Sequence, residues 1–301
     1  VLACAALAAL TAGAGELPPS ALAVMRGGAW RTWWEAGEAP AAWRAPHRDV
    51  AGAVRWHGVR PGLERGELRL SGSGEAWRLR VHLLRVDARR FRWSLPRATR
   101  DEGMLPAWAV DSAPTAALAV NTGQFEGARP WGWVVRGGRE EQAPGTGSLA
   151  MALVVTRDGA MRLVGADSIA AVRASGTVAE AFQSYPALLT GAGDVPAPLR
   201  EEGRGVSVSH RDARLAVCEL RDGRIVFALT RFDALGAAME RLPFGPTAPE
   251  MAALMGALGC RRAMLLDGGI SGQMAVRSAG GGRHTWEGMR RVPLGLVAEA
   301  R

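Results

Sequence analysis

Apolar positions along most of this chain recur with a period of two or in short unbroken runs, and Gly, Asp and Pro punctuate them. From Gly66 onward this pattern predicts strands over 67–71, 76–86, 91–95, 116–120, 131–135, 149–156, 160–164, 206–209, 215–220, 225–230 and 292–298. Asp158-Gly159 and Asp222-Gly223 each fall between two such runs and predict tight hairpins. A short helix is expected at 104–110. The clearest helix spans 248–258. Thr247 and Glu250 have capping-box spacing, Pro249 suits the first turn, Met251, Leu254, Met255 and Leu258 share a face, and Gly259 ends it. It feeds the apolar run Met264-Leu265-Leu266, which ends in Asp267-Gly268-Gly269-Ile270-Ser271 before Met274-Ala275-Val276 resumes as a strand. The expected fold class is α/β or α+β, a single domain with a mixed β-sheet core and a few helices.

The two ends of the pattern differ. Residues 1–15 are apolar and finish in small residues, like the apolar part of a secretory signal, although no basic residue precedes them. Residues 16–59 are rich in Pro, Gly, Ala and Trp and read as a linker with a packing arm; Trp30, Trp33, Trp34, Trp43 and Trp56 are expected to pack onto the main domain. Residues 60–301 form the domain proper. The expected location is secreted or periplasmic in a bacterium, with no membrane span after the leader.

Composition narrows the function. Hydrophobic content of 48% is ample for a core, and the formal charge is +8 with every one of the 37 basic residues an Arg. Arginine grips phosphate and carboxylate as a two-toothed fork, so an anionic substrate suits it. The arginines are scattered, however, and no dense basic run suggests nucleic acid. Cys218 and Cys260 are the two cysteines outside the leader. A disulfide between them is open to an exported protein, but two separate buried thiols are the favoured expectation. No Cys-x-x-Cys or His-x-x-His spacing marks a metal, and no cofactor is expected. Asp267 could ligate a divalent cation, but no Asp/Glu cluster surrounds it.

The stretch around Asp267 supports two readings. It could be a hairpin whose Asp caps the turn, or a strand end that offers a carboxylate, small residues and the Ser271 hydroxyl to a ligand. Three other runs share its form, an apolar strand beside polar groups: Asn121-Thr122-Gly123-Gln124-Phe125, Gln183-Ser184-Tyr185-Pro186 and His210-Arg211-Asp212-Ala213-Arg214.

In order and content these four runs resemble the phosphodiester glycosidase domain family, over roughly residues 60–300. Asn121-x-Gly123-x-Phe125, Gln183 before Pro186-Ala187-Leu188-Leu189, Arg214 on its strand, Thr247-x-x-Glu250-x-Ala252 and Leu266-Asp267-Gly268-Gly269-x-Ser271 carry the likeness. Leu215, Cys218 and Ile270 stand where the family has Thr, Gly and Gly. The resemblance implies hydrolysis of a glycosyl phosphodiester, with a carbohydrate phosphodiester as the partner molecule. Asp267 and Arg214 are then the expected catalytic residues. Asn121, Gly123, Gln183, Gly268, Gly269, Ser271 and Arg291 are the expected substrate-binding set. His210 is a rival acid/base, although a solvated histidine is the favoured reading, and Glu250 reads as a helix cap. A non-catalytic glycan- or anion-binding module on the same scaffold is the alternative. An ordinary glycosidase would need a second carboxylate, which the sequence does not single out.

Overall fold

Side chains on a strand point alternately to its two faces, and along the central strands of the largest sheet both faces are covered. In the computed structural model, which describes residues 19–98, 115–234, 236 and 239–301, that sheet has nine strands. They are β1 (Ala21–Arg26), β2 (Ala29–Glu35), β3 (Arg55–Arg60), β4 (Leu63–Ser71), β5 (Leu79–Val86), β15 (Ala187–Leu189), β16 (Leu215–Leu220), β17 (Ile225–Phe232) and β18 (Cys260–Leu265). The spatial order is β15-β18-β16-β17-β5-β4-β1-β2, with β3 also on β4.

Two five-stranded sheets pack near it. One orders β11 (Arg139–Gln142), β10 (Val134–Arg136), β14 (Val178–Ser184), β12 (Met151–Thr156) and β13 (Met161–Gly165). The other orders β20 (Arg283–Trp286), β19 (Met274–Arg277), β7 (Ala116–Asn121), β21 (Gly295–Ala300) and β6 (Phe91–Ser94). A two-residue pair, β8 (Phe125–Glu126) with β9 (Arg129–Pro130), completes the strands. Among the described residues the α-helices are α1 (Arg48–Ala53), α2 (Ala166–Ala174) and α3 (Ala248–Ala257), which pack against β1, β13 and β15 respectively.

The expected single domain with a sheet core and few helices is present, but it is richer in strand than α/β or α+β suggests, with 45% strand and 14% helix. Among the described residues every strand pairing is antiparallel. The expected hairpins at Asp158-Gly159 and Asp222-Gly223 are present. The strand expected at 206–209 is irregular chain, and α2, β14 and β15 arise where no element was assigned. The helix expected at 104–110 and the leader at 1–15 lie outside the described residues.

Alternation explains the cores. On β16, Leu215 and Val217 enter a central core with Leu118, Leu153 and Phe182 of the two smaller sheets. Ala216 and Cys218, on the other face, join Met251, Leu254 and Met255 of α3. A strand buried on both faces reads as an unbroken apolar run, which is why β16, β17 and β18 show no polar alternation. Thr247 caps α3 through a complete capping box with Glu250, as its spacing predicts.

The described part of the segment 16–59, residues 19–59, is more regular than a linker. From Ala21 it supplies β1, β2, α1 and β3, with β1 and β3 both hydrogen-bonded to β4. Trp34 and Trp43 are buried as expected, whereas Trp30 is exposed. The indole of Trp43 lies on Gly256 of α3, where a Cβ would meet the ring at 2.1 Å.

Cys218 and Cys260 form a disulfide, which overturns the expectation of separate thiols. A sequence separation of 42 residues hides the fact that β16 and β18 are neighbours, with Leu220 opposite Cys260 and the Cys218 and Cys260 Cα atoms 5.8 Å apart. Closing a loop of that length removes unfolded-state entropy worth about 2–4 kcal/mol. The Cys218→Ala/Cys260→Ala protein is expected to lose that much stability in urea denaturation, with its fold retained by circular dichroism.

Candidate active site

Strand register brings the site together. On β16 and β18, Ala216 pairs with Leu265, and the Leu266 amide donates to the Leu215 carbonyl at 2.8 Å. Extending that antiparallel ladder one step places Arg214 beside Asp267. On the other side of β18, Ala187 pairs with Met264, and the Leu265 amide donates to the Pro186 carbonyl at 3.0 Å, which brings Tyr185 to the same end. Three neighbouring strands thus deliver Tyr185, Asp267 and Arg214 to one edge of the large sheet. All three line a cleft of about 290 Å³, together with Gln124, His210 and Asp212. That volume lies near the lower end for small-molecule sites, about 300 Å³.

Asp267-Gly268 is not a hairpin turn. β18 belongs to the large sheet and β19 to the sheet of β7, so residues 266–273 cross from one sheet to the other. The crossing is fastened at both ends. The Asp267 amide donates to the Thr122 carbonyl at 3.0 Å, and Asn121 Nδ2 donates to the Asp267 carbonyl at 2.7 Å. Asn121 Oδ1 accepts from the Gln273 amide at 2.9 Å. The Gly269 amide donates to the Ala213 carbonyl at 2.6 Å, and Gly269 has φ +54°. At Gly268 a Cβ would stand 2.5 Å from that same carbonyl, so the two loops meet backbone to backbone and need these glycines.

The expected residues therefore divide. Asp267, Arg214 and Gly268 line the cleft. Asn121 is fully buried behind it and braces the crossing loop. Ser271 and Gly269 are also buried; the Ser271 hydroxyl bonds to the Asp267 carboxylate. Gln183 is committed to backbone. Its Oε1 accepts from the Trp133 and Gly145 amides at 2.7 and 2.8 Å, and its Nε2 donates to the Leu149 carbonyl at 3.0 Å. Gly123 allows the Gln183 carbonyl to approach, since a Cβ there would be 2.5 Å away. Arg291 is exposed and outside the cleft lining; its neighbour Arg290 is the late arginine whose charge acts on Asp267.

Glu250 is a cap, as read, and more. Arg211 grips it with two bonds, at 2.7 and 2.9 Å, beneath the loop that carries Asp212 and Arg214. Asp212, Gln124 and Tyr185 are cleft residues that the sequence did not single out. Asp212 sits inside the His210–Arg214 run, and its recognisable signal was a carboxylate two residues before the key arginine. The unusual residues are away from the lining: Leu215 in the central core, Cys218 in the disulfide, and Ile270 43% exposed with its carbonyl held by the Met289 amide at 2.7 Å.

Burial sets the electrostatics. It pushes the Asp267 carboxyl up to about 6, against the opposing pull of the Ser271 hydroxyl and Arg290, and nearby Asp212 adds to the rise. Burial also raises Asp212, opposed by Arg214 and His210. Arg214 is lowered by burial, with Asp212 and Glu250 supporting its charge. Asp267 Oδ2 and Asp212 Oδ1 are both buried without a hydrogen-bond partner. His210 is largely exposed, with Nε2 3.8 Å from Asp212. Among the described residues no group of three or more His, Cys, Asp or Glu could hold a metal ion.

Acidic groups and an arginine meeting in a small cleft are the equipment of a glycosidase-type site with an anionic substrate. Residues 114–299 match the phosphodiester glycosidase family, and the chain belongs to that family. The catalytic domain of zebrafish N-acetylglucosamine-1-phosphodiester alpha-N-acetylglucosaminidase, auto-inhibited by its pro-peptide, is similar in fold at a TM-score of 0.61 and 15% identity, covering 88% of this chain and 96% of that one. A hypothetical protein from Synechocystis is similar at a TM-score of 0.58 and 15% identity, covering 82% of this chain; the match spans 64% of that protein's length. No curated protein matches the sequence.

Two outcomes follow from this geometry. A carboxyl whose folded pKa exceeds its unfolded value binds its proton more tightly when folded, so it loses stability as pH rises from about 3.8 to about 6. Asp267→Asn is therefore expected to be more stable than the wild type at pH 7–8, by about 2 kcal/mol, with the gap closing below pH 4 in melting experiments. Asn121→Ala leaves the buried Gln273 amide and Asp267 carbonyl short of a partner. It is expected to cost about 2–3 kcal/mol by chemical denaturation.

Proposed function

We propose that the cleft hydrolyses a glycosyl phosphodiester, a sugar-1-phosphate linkage, to free sugar and a phosphomonoester. The observation that carries this reading is Arg214 and Asp267 on neighbouring strand ends, facing one cleft of single-sugar size. Water attacks the anomeric carbon as its bond to the phosphate oxygen breaks. The water proton passes to Asp267, and the phosphate leaves as an anion against the Arg214 guanidinium. Phosphate departs far more readily than an alcohol, so stabilising its charge matters more than protonating it.

A carboxylate of pKa about 6 is ionised at neutral pH yet more basic than an ordinary aspartate, which suits a general base. Arg214 is oriented for its part: Nε donates to the Pro246 carbonyl at 3.0 Å, and the Thr230 hydroxyl accepts from its amide at 2.7 Å. Beside Asp267, Tyr185 would meet the sugar; it is held by Gln124, whose amide bonds to the Tyr185 backbone, and it stacks on exposed Trp131 with ring centroids 5.9 Å apart. Envelope or extracellular glycans are the proposed substrates. The buried disulfide and the leader-like residues 1–15 support a secreted or periplasmic setting. Among the described residues no helix is long and apolar enough to cross a membrane.

The test is sugar release from a panel of glycosyl-1-phosphodiesters, N-acetylglucosamine included. The wild type is expected to release sugar with an activity that rises through pH 6. Asp267→Asn should lose roughly a thousandfold, and Arg214→Met about a hundredfold or more. A folded wild type that releases nothing across the panel would return the cleft to the glycan- or anion-binding alternative.

A further inference from the structure

Asp212 stands in the cleft with no part in the chemistry above. It lines the same cavity as Arg214 and Asp267. Its Oδ1 is buried without a hydrogen-bond partner. Its Oδ2 lies against the backbone of the crossing loop, where a Cβ on Gly269 would come within 2.7 Å. The charged groups facing it are His210 and Arg214 from its own loop, Asp267 from the crossing loop, and Glu75 from the segment before β5. Among the described residues no direct ion pair joins Asp212 to Arg214, whose Nε and Nη2 are held by the Pro246 and His210 carbonyls. Nη1 remains for an anion, and a negative charge stands beside it in Asp212.

Resting on the reading of this cleft as a phosphodiester site, we propose that Asp212 is a charge filter that admits phosphodiesters and rejects phosphomonoesters. A diester carries one negative charge, which Arg214 balances. A monoester gains a second charge above about pH 6, and that charge meets the Asp212 carboxylate. In a cleft partly shielded from water, like charges a few ångströms apart repel strongly. The consequence is twofold. Sugar-1-phosphates, which share the sugar and the linkage, do not occupy the site. The reaction also turns a tolerated monoanion into a repelled dianion, so ionisation of the product drives its release.

The experiment measures equilibrium binding by calorimetry in the Asp267→Asn protein, where turnover does not consume the ligand. The probes are a hexose 1-phosphate and the methyl diester of the same compound, at pH 8 and pH 5. At pH 8 the diester is expected to bind at least tenfold more tightly than the monoester. Adding Asp212→Asn should shrink that preference by about tenfold or more, whereas adding Asp212→Glu should keep it. At pH 5, where both ligands are monoanions, the preference should nearly vanish in all three proteins. An equal weakening of both ligands by Asp212→Asn would mark a sugar-hydroxyl contact and overturn the filter, as would failure of both ligands to bind. Should the wild type release no sugar while the preference still depends on Asp212, the hydrolase reading falls and the filter stands.

Discussion

The antiparallel ladder between β16 and β18 is the constraint from which the rest of the cleft follows. Backbone hydrogen bonds fix which residues lie side by side at the end of a sheet, and here they align Arg214 with Asp267. Side chains add to this, Asn121 and Ser271 at Asp267 and Thr230 at the Arg214 amide. Arg214 is set by the strand end and by two carbonyls, and Asp267 by the last rung of β18 and by Thr122. The disulfide between the same two strands lies on the opposite face from the central core, under α3, and makes that pairing covalent.

This arrangement places poorly solvated charge where a folded chain would ordinarily avoid it. Two carboxylate oxygens are buried without partners, and an arginine is desolvated. Each lowers stability, and the surroundings offset the loss. The central strands of the large sheet are covered on both faces, α3 is capped by Thr247 and Glu250, and Glu250 is itself gripped by Arg211 from the loop that carries Asp212 and Arg214. The cap of α3 and the anchor of the loop that carries Asp212 and Arg214 thus share Glu250.

Much of this was legible in the sequence, for identifiable reasons. Helix α3 could be read because Thr247, Pro249, Glu250 and Gly259 are local signals. The hairpins at Asp158 and Asp222 were readable for the same reason. Asp267 stands out at the end of the apolar run 264–266, whereas its catalytic role and that of Arg214, which precedes the run 215–218, rest on the likeness to the family. What stayed hidden was long-range pairing. A strand buried on both faces shows no alternation, so sheet order and direction left no trace in β16, β17 and β18, and a mixed sheet was expected where the pairings are antiparallel. Polar side chains were the hardest to assign. Asn121 and Gln183 looked like ligand-binding groups, but their amides satisfy buried backbone, a role that sequence pattern does not distinguish from the other. Asp212 was passed over because an Asp between two arginines reads as an ordinary surface charge.

The crossing of residues 266–273 between two sheets has a consequence for how the protein fails. Asp267 belongs by its strand to one sheet and by its hydrogen bonds to Asn121 and Thr122 to another. A fluctuation that parts the two sheets dismantles the cleft even while each sheet keeps its own ladders. A form opened at that seam loses the cleft while the rest of the molecule still holds together.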